Sequence, residues 1–539
     1  MTADAVIVGS GHNSLVAAAY LARAGWDVVV LERNDVPGGA VATEELTLPG
    51  YRHDTFSCWH PLFHLSGAYA ELGDELAARG LRYRDAELPT ASVASDGRVV
   101  LGERDPARTA AGFGSRDGEA YLAELERFGE HAETVGELLA TEPLSPRAAV
   151  LAGGLARALG PRGLAAFAGD VLASARTWLD GRFEGREPAM LLAPWVLHTG
   201  LSPDGAGGGF QLLAIAGAVH QVGMPVVEGG SVGLVDAFVR LIEDSGGRVR
   251  TNAEVERVTV RDGRAAAVRI AGGETVEARR AVIANVTPTQ LYGRLLADGD
   301  GAPAAASAQA RRFRFNARAG TQIHLALSEP LRWLDERLDK AAIVHLADGV
   351  DSVALACAEA ASGLLPSAPT VVCGQPAVVD PSRVPDGAGM LWIQLQQVPH
   401  RPRGDAAGEI DVGDGTWTDE LAGAFADRVV AQLARHVENL PEAIAARAIL
   451  HPAELERRNP NLVHGDIYAG ATELSQSYLW RPLPSYGSHA TPVTGLFQIG
   501  ASTYPGPGLN AASGRIVAQR LLRLPLRRRA ATRLRGLVP

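Results

Sequence analysis

Cysteine is scarce in this chain. Cys58, Cys357 and Cys373 are odd in number and far apart, so they give neither a disulfide framework nor a metal-ligand spacing, and they read as reduced thiols of a cytoplasmic protein. Long hydrophobic runs are missing too. The most apolar region, residues 148–175, is broken by Arg157, Arg162 and Asp170, and nothing approaches the ~20 uninterrupted apolar residues that a membrane helix needs. The first strand is expected from about residue 4, which leaves no room for a leader. An excess of positive charge is also absent: the formal charge is -10, which argues against a general nucleic-acid binder. What is present is a 539-residue chain with 46% hydrophobic and 21% charged residues. It is too long for a single core, and two domains, contiguous or interleaved in sequence, are expected.

The most informative stretch is Asp4 to Gly39. An apolar run, Ala5 to Val8, predicts a buried parallel strand; it breaks into Gly9-Ser10-Gly11 before an alanine-rich helix that ends near Gly25. A second apolar run, Val28 to Leu31, ends on Glu32, which completes a βαβ unit. Gly9 permits the tight turn, and Gly11 lets backbone N–H groups approach a pyrophosphate at the positive end of the helix. Glu32 lies ~20 residues on, where a carboxylate accepts hydrogen bonds from ribose hydroxyls and disfavours a 2′-phosphate, so the nucleotide is FAD or NAD rather than NADP. The third glycine of the motif is replaced by Ser14, which is small enough to keep the helix close to the strand.

Behind Glu32 and Arg33 the chain turns through Gly38 and Gly39, whose exposed backbone suits a bulky ligand passing closely. Residues 51–64 mix aromatics with three histidines and read as an aromatic wall or packed core. Helices are predicted over Glu119–Leu139, Arg147–Leu159 and Leu164–Leu179, followed by a glycine-rich loop at 201–209 flanked by His198 and His220. Nucleotide-domain character returns at 225–288: a helix over Val232–Ser245, a β-meander through Val255 and Ile270, and a short strand, Ala281–Ala284, closing on Asn285. Val255 could offer backbone hydrogen bonds to an adenine. Runs such as Gln322–Leu327 and Met390–Gln396 predict a further sheet with helices over one face. Near the end an apolar strand enters a glycine- and proline-rich loop at 500–510, and a helix follows from about Ala511 to Leu524, so this loop should offer backbone N–H groups at a helix N-terminus. Arg527, Arg528, Arg529, Arg533 and Arg535 then make a basic tail, read as frayed and solvated, with peripheral contact to anionic lipid as the alternative.

These pieces in this order resemble one family, the phytoene desaturase-like FAD oxidoreductases, which include carotenoid isomerases, and within it the pyridine nucleotide-disulfide oxidoreductase-domain subgroup. The resemblance rests on VIVGSGHNSLVAAAYLARAGWDVVVLER, on VPGG at 36–39, on VVEGGSVGLVDAFVRLIEDSGGRVRTNAEVERV, on IANVTP at 283–288 and on GLFQIGASTYPGPGLNAASG at the end. It implies an α/β fold: a doubly wound, glutathione reductase-like FAD domain made of 1–75, 225–290 and 485–525, a discontinuous α+β substrate domain made of 76–224 and 291–484, and a tail at 526–539. It implies non-covalent FAD, held by Gly9, Gly11, Ser14, Glu32, Arg33, Gly38, Gly39, Val255, Gly500, Ala501, Gly508, Leu509 and Asn510, and no metal. His198, Trp59 and Tyr504 are its candidates for catalysis, each in a segment expected near the flavin ring.

The implied chemistry is hydride transfer between flavin and a C–C or C=C bond of an extended hydrophobic, polyene or isoprenoid-like substrate. The alternatives are reduction of a conjugated polyene, or a redox-neutral isomerase working on reduced FAD. Amine oxidation is disfavoured because amine oxidases of the related fold place a lysine near the flavin, and the one lysine here, Lys340, lies in a segment matching no such site. A flavoprotein scaffold has only the terminal arginines in its favour.

Overall fold

The computed structural model describes the backbone of residues 1–296 and 301–535, with side chains up to residue 523. Strand β1 (Thr2–Val8), helix α1 (His12–Arg23) and strand β2 (Val28–Leu31) form the expected unit. β1 lies between β2 and the strand Thr275–Ala284, parallel to both, and Leu496–Gln498 extends the sheet beyond the latter. Alternation along β1 and β2 sorts the side chains by face. Ala5, Ile7, Val28 and Val30 point into a core shared with α1, the helix Val232–Asp244 and the start of the helix Ala512–Arg535. Val6, Val8, Val29 and Leu31 point into a second core with the antiparallel strands Val255–Arg261 and Arg264–Ile270. A parallel sheet covered on both faces explains why both strands read as continuous apolar runs.

A second, mostly antiparallel sheet runs in the order Ile444–Leu450, Arg318–Leu327, Gly389–Pro399, Val371–Gly374, Ala341–Leu346, Leu88–Val93, Val99–Gly102. One face, with Ile323, Leu325, Leu391, Ile393 and Leu395, is sealed by the helix Asp419–Leu433 through Leu421, Phe425 and Val429. The other face looks toward the helices Ser115–Leu139 and Gly208–Val222 across a cavity.

Two expectations need correction, and a third holds. The helix expected to reach Leu179 stops at Leu172, because Ser174 accepts a hydrogen bond from Thr177 N and starts a separate helix, Ala175–Asp180. The expected break after Leu159 is present as a left-handed Gly160 (φ 65°) before Pro161. The last helix continues to Arg535 rather than ending near Leu524. The arginine side chains of the expected basic tail lie outside the described residues. Among the described residues, no helix is long and apolar enough to cross a membrane.

Candidate active site

Strand register assembles one end of the cavity. Val8, Leu31 and Ala284 finish their strands side by side, and Gln498 pairs with Ala284, so the next residues, Gly9, Glu32, Asn285 and Ile499-Gly500, emerge along a single carboxyl edge. That edge is where open α/β sheets bind ligands. Gly11 caps α1 with no side-chain hydrogen bond, leaving the first helical N–H groups directed at the cavity. A Cβ at Gly11 would come within 3.0 Å of Asn285 Nδ2, one at Gly39 within 3.1 Å of the Gly11 Cα, and one at Gly500 would overlap Asn285 Oδ1. Gly39 (φ 62°) and Gly500 (φ 106°) are also left-handed, so glycine is required at both on two counts.

The side chains here are bonded to one another. Glu32 is buried and accepts from Ser10 N (2.9 Å) and Ser10 Oγ (2.7 Å) on one oxygen and from Asn34 N (3.0 Å) on the other. Ser10 Oγ in turn accepts from Gly38 N at 2.9 Å. Ser14 does more than substitute for glycine: its Oγ accepts from Asn285 Nδ2 (2.9 Å) and ties α1 to the strand Thr275–Ala284. Gly9, Gly11, Glu32, Arg33, Gly39, Val255, Gly500, Ala501, Gly508, Leu509 and Asn510 all border the cavity, whereas Ser14 and Gly38 stand one layer behind. The Val255 carbonyl accepts from Arg294 Nη1 at 3.3 Å. At the start of the helix after the terminal loop, Asn510 Oδ1 accepts from Ala512 N and Asn13 Oδ1 from Gly514 N, each at 3.0 Å.

Sequence reasoning missed three residues of this end. Asn285 is the hinge between the two glycine loops. His12 opens α1 beside the cavity and is held neutral, its pKa pushed down to about 4 by burial and only partly restored by the Gly508 carbonyl. Arg481 is fully buried and fixes the Ala501 carbonyl through Nε (3.0 Å) and Nη2 (2.8 Å); burial lowers its pKa to about 10.

From this edge a cavity of about 2120 Å³ runs to the second sheet. Trp59 and His198 border it. Tyr504 does not: its hydroxyl donates to the Leu138 carbonyl (2.7 Å), and Pro505 and Gly506 reach the cavity instead. The sheet contributes Gln322, Ile343, Trp392 and Gln394. Their signal in the sequence was the alternation in the run Leu391–Gln397, where Trp392, Gln394 and Gln396 interleave with Leu391, Ile393 and Leu395. The opposite wall is mainly apolar, with Leu125, Phe128, Phe210, Ala214, Ile215 and Ala218, and also carries Glu133, Glu137 and Gln211. His198 Nε2 meets His345 Nε2 at 3.2 Å, and burial pushes His198 down to about 4 and His345 well below its usual range. His220, by contrast, is a structural residue held by the Tyr121 hydroxyl (2.7 Å) and the Glu103 carbonyl (2.9 Å). Lys340 is exposed and paired with Glu87 at 2.9 Å.

A dinucleotide cradle at the carboxyl edge of a parallel sheet, opening on a large half-apolar cavity, defines a flavin-dependent oxidoreductase. The chain belongs to the family of flavin containing amine oxidoreductases, whose model matches residues 15–522. Its cofactor is FAD, and the cradle's bare helix terminus, close-packed glycines and Glu32 fit that group. The chain is 29% identical to mouse pyridine nucleotide-disulfide oxidoreductase domain-containing protein 2, with 96% of this chain and 93% of that protein covered. It is 27% identical to the hydroxyneurosporene desaturase of Rubrivivax gelatinosus, covering 96% and 93%. To the zeta-carotene-forming phytoene desaturase of Myxococcus xanthus it is 26% identical, with the same shares covered, 96% and 93%. Among solved structures, an oxidoreductase from Methanosarcina mazei shares the fold with a TM-score of 0.61 at 14% identity, covering 96% of this chain and all of that one.

Proposed function

We propose that this protein transfers hydride between FAD and a carbon–carbon bond of an extended, largely apolar polyene or isoprenoid. The observation that carries the reading is the continuity of one cavity, with the nucleotide cradle at one end and a wall of Phe128, Phe210, Leu125 and Ile215 along its side. Such a wall excludes water and holds a long apolar chain by burial rather than by polar contacts. The similarity to proteins named as desaturases of carotenoids supports the same substrate class. When bound, the flavin supplies the two-electron acceptor or donor.

The chain's own residues do the rest. Gly9, Gly11, Glu32, Gly39 and the 500–510 loop hold the nucleotide non-covalently, with Ser14 and Gly38 bracing them. Val255 stands at the adenine, Arg33 beside it. Trp59 and His198 position the substrate; Tyr504, turned onto Leu138, takes no direct part. In this reading 1–75, 225–290 and 485–525 make the FAD domain, and 76–224 and 291–484 the substrate domain. Three buried, unbridged cysteines suit a reducing compartment such as the cytoplasm. Amine oxidation is not favoured, because the one lysine pairs with Glu87 on the surface.

Product analysis tests this reading. After incubation with acyclic isoprenoids, mass spectrometry should find a product that has lost or gained two hydrogens. A product of unchanged mass, formed only after the flavin is first reduced, would make the protein an isomerase, and release of ammonia from an amine with no change in any isoprenoid would overturn the proposal.

A further inference from the structure

Two long helices, Ser115–Leu139 and Pro146–Leu172, form an arm along the cavity, and little of it is sunk in the protein: only Asp117, Gly118, Tyr121, Ala148 and Leu155 are buried. Its base is fixed by Asp117, whose carboxylate accepts from Glu184 N (3.1 Å) and Gly185 N (2.6 Å). Its middle rests on the helix Gly208–Val222, where Phe128 and Phe167 each meet Phe210 edge-on. Its tip, the turn at 140–145, borders the cavity through Ala140, Thr141, Glu142 and Leu144.

Four hydrogen bonds join this tip to the terminal loop. The Tyr504 hydroxyl donates to the Leu138 carbonyl (2.7 Å), and His489 N donates to Glu142 Oε1 (3.2 Å). The His489 ring sits between the two segments, with Glu142 Oε2 2.9 Å from Nδ1 and the Tyr504 carbonyl 3.0 Å from Nε2. A backbone carbonyl and a carboxylate only accept. A neutral imidazole carries a single N–H, so either neutral tautomer sets a bare nitrogen against an acceptor; the imidazolium alone donates to both. His489 is fully buried and Glu142 is 15% exposed. Burial works against the charge on Glu142, yet the hydrogen bond and charge of His489 hold its pKa below the ordinary 4.5. One further charge touches the pair, Arg520 of the last helix, 4.0 Å from Glu142 Oε2. The other titratable side chains there are Tyr504 and, beside it, Tyr478; burial pushes both phenols up, so neither changes charge near neutrality.

We infer that this pair is a pH-sensitive clasp: His489, charged, closes the tip of the arm on the terminal loop, and loss of its proton as the pH rises frees the tip and opens the cavity there. On losing the proton the ring keeps one of its two bonds and turns a lone pair on the other acceptor. The clasp is therefore whole on the acid side and is lost toward alkaline pH. The inference concerns access to the cavity and holds whatever carbon chain enters it.

Hydrogen exchange of the FAD-loaded protein tests it, read by mass spectrometry on the peptide spanning 138–145 and corrected for the intrinsic pH dependence of exchange. Between about pH 6 and about pH 9 the parent should lose at least about tenfold of its protection there. Reduction of the bound flavin by dithionite, scaled to free FAD at the same pH, should quicken with it. Glu142→Gln discriminates. Its amide oxygen still accepts from His489 N, while its N–H donates to Nδ1 of a neutral ring that keeps Nε2–H for Tyr504, so protection should stay high at both pH values. His489→Phe, which fills the space without a donor, should leave the tip unprotected at both. Equal protection of the parent at the two pH values overturns the inference, as does a Glu142→Gln protein that loses protection toward pH 9 as the parent does, or flavin reduction that is indifferent to release of the tip. Should His489→Phe fail to fold, the Glu142→Gln comparison decides alone.

Discussion

The two ends of the cavity are built on opposite rules. At the nucleotide end the polar side chains are held within the protein, Ser10 by Glu32, Ser14 by Asn285, and Asn13 and Asn510 by backbone N–H groups of the last helix, and the bare backbone of the glycine loops borders the cavity beside Glu32. At the sheet end backbone is consumed in strand pairing, and side chains such as Trp59, Trp392 and Gln322 keep buried polar atoms without a partner among the described residues.

Arg383 joins the two ends, and removing it should have the largest effect. It is fully buried, donates to Asp54, to Asp380 at 3.3 Å and to the Val227 carbonyl at 2.7 Å, and so links the 43–54 hairpin to the second sheet's loop. Arg383→Met leaves two buried carboxylates without their partner and should destabilise the protein by about 3–5 kcal/mol, seen as a fall in the unfolding midpoint. A midpoint within a degree or so of the parent would mean that the two ends stand independently.

Next is Gly500→Ala. Its Cβ would overlap Asn285 Oδ1 at a left-handed position, and we expect FAD affinity to fall by ~2–4 kcal/mol while the sheet end keeps its fold. Flavin content after dialysis reads this directly; full retention would break the claim that backbone closeness holds the cofactor. Glu32→Ala should cost FAD about 1–3 kcal/mol through lost charged hydrogen bonds, and an unchanged dissociation constant would move the ribose contact elsewhere.

Acid sharpens the comparison more gently. His53 and His324 touch where the two ends meet, with centroids 5.2 Å apart, and His60 is buried against Ser231. Burial first of all holds His53 down to about 4, and His60 and His324 to about 3, all below the ordinary 6.5. With folded values depressed, the unfolded chain binds more protons once the pH drops below 6.5. The stability these groups contribute is whole above that pH and is lost as the pH falls, by up to ~1.4 kcal/mol per unit for each histidine. Thermal scans should therefore show a midpoint that declines from about pH 6.5 downward, and a flat profile to about pH 4 would mean that these rings are already charged or exposed.

The same contrast explains what could be read in advance. The cradle is local: Gly9, Gly11 and Glu32 fall within one βαβ unit, and the spacing of glycines and acid is the chemistry itself. The terminal loop at 500–510 was legible for the same reason. The wall is not local. Gln322, Trp392 and His345 are brought together by pairing among strands far apart in sequence, and nothing near any one of them announces the others. Tyr504 shows the limit from the other side, since its segment was rightly expected at the cavity and yet its own side chain turns away to Leu138. Arg481, a buried guanidinium serving only backbone carbonyls, left no pattern at all.

The most direct test of the account is an anaerobic titration of the FAD-loaded protein, following the oxidised-flavin absorption band, with an acyclic isoprenoid and with an amine of matched size in turn, then with a reduced nicotinamide followed by a polyene. Bleaching by the isoprenoid, or reoxidation of nicotinamide-reduced flavin by the polyene, is the predicted result and also fixes the direction of transfer. Bleaching by the amine, with no response to either hydrocarbon chain, would contradict it.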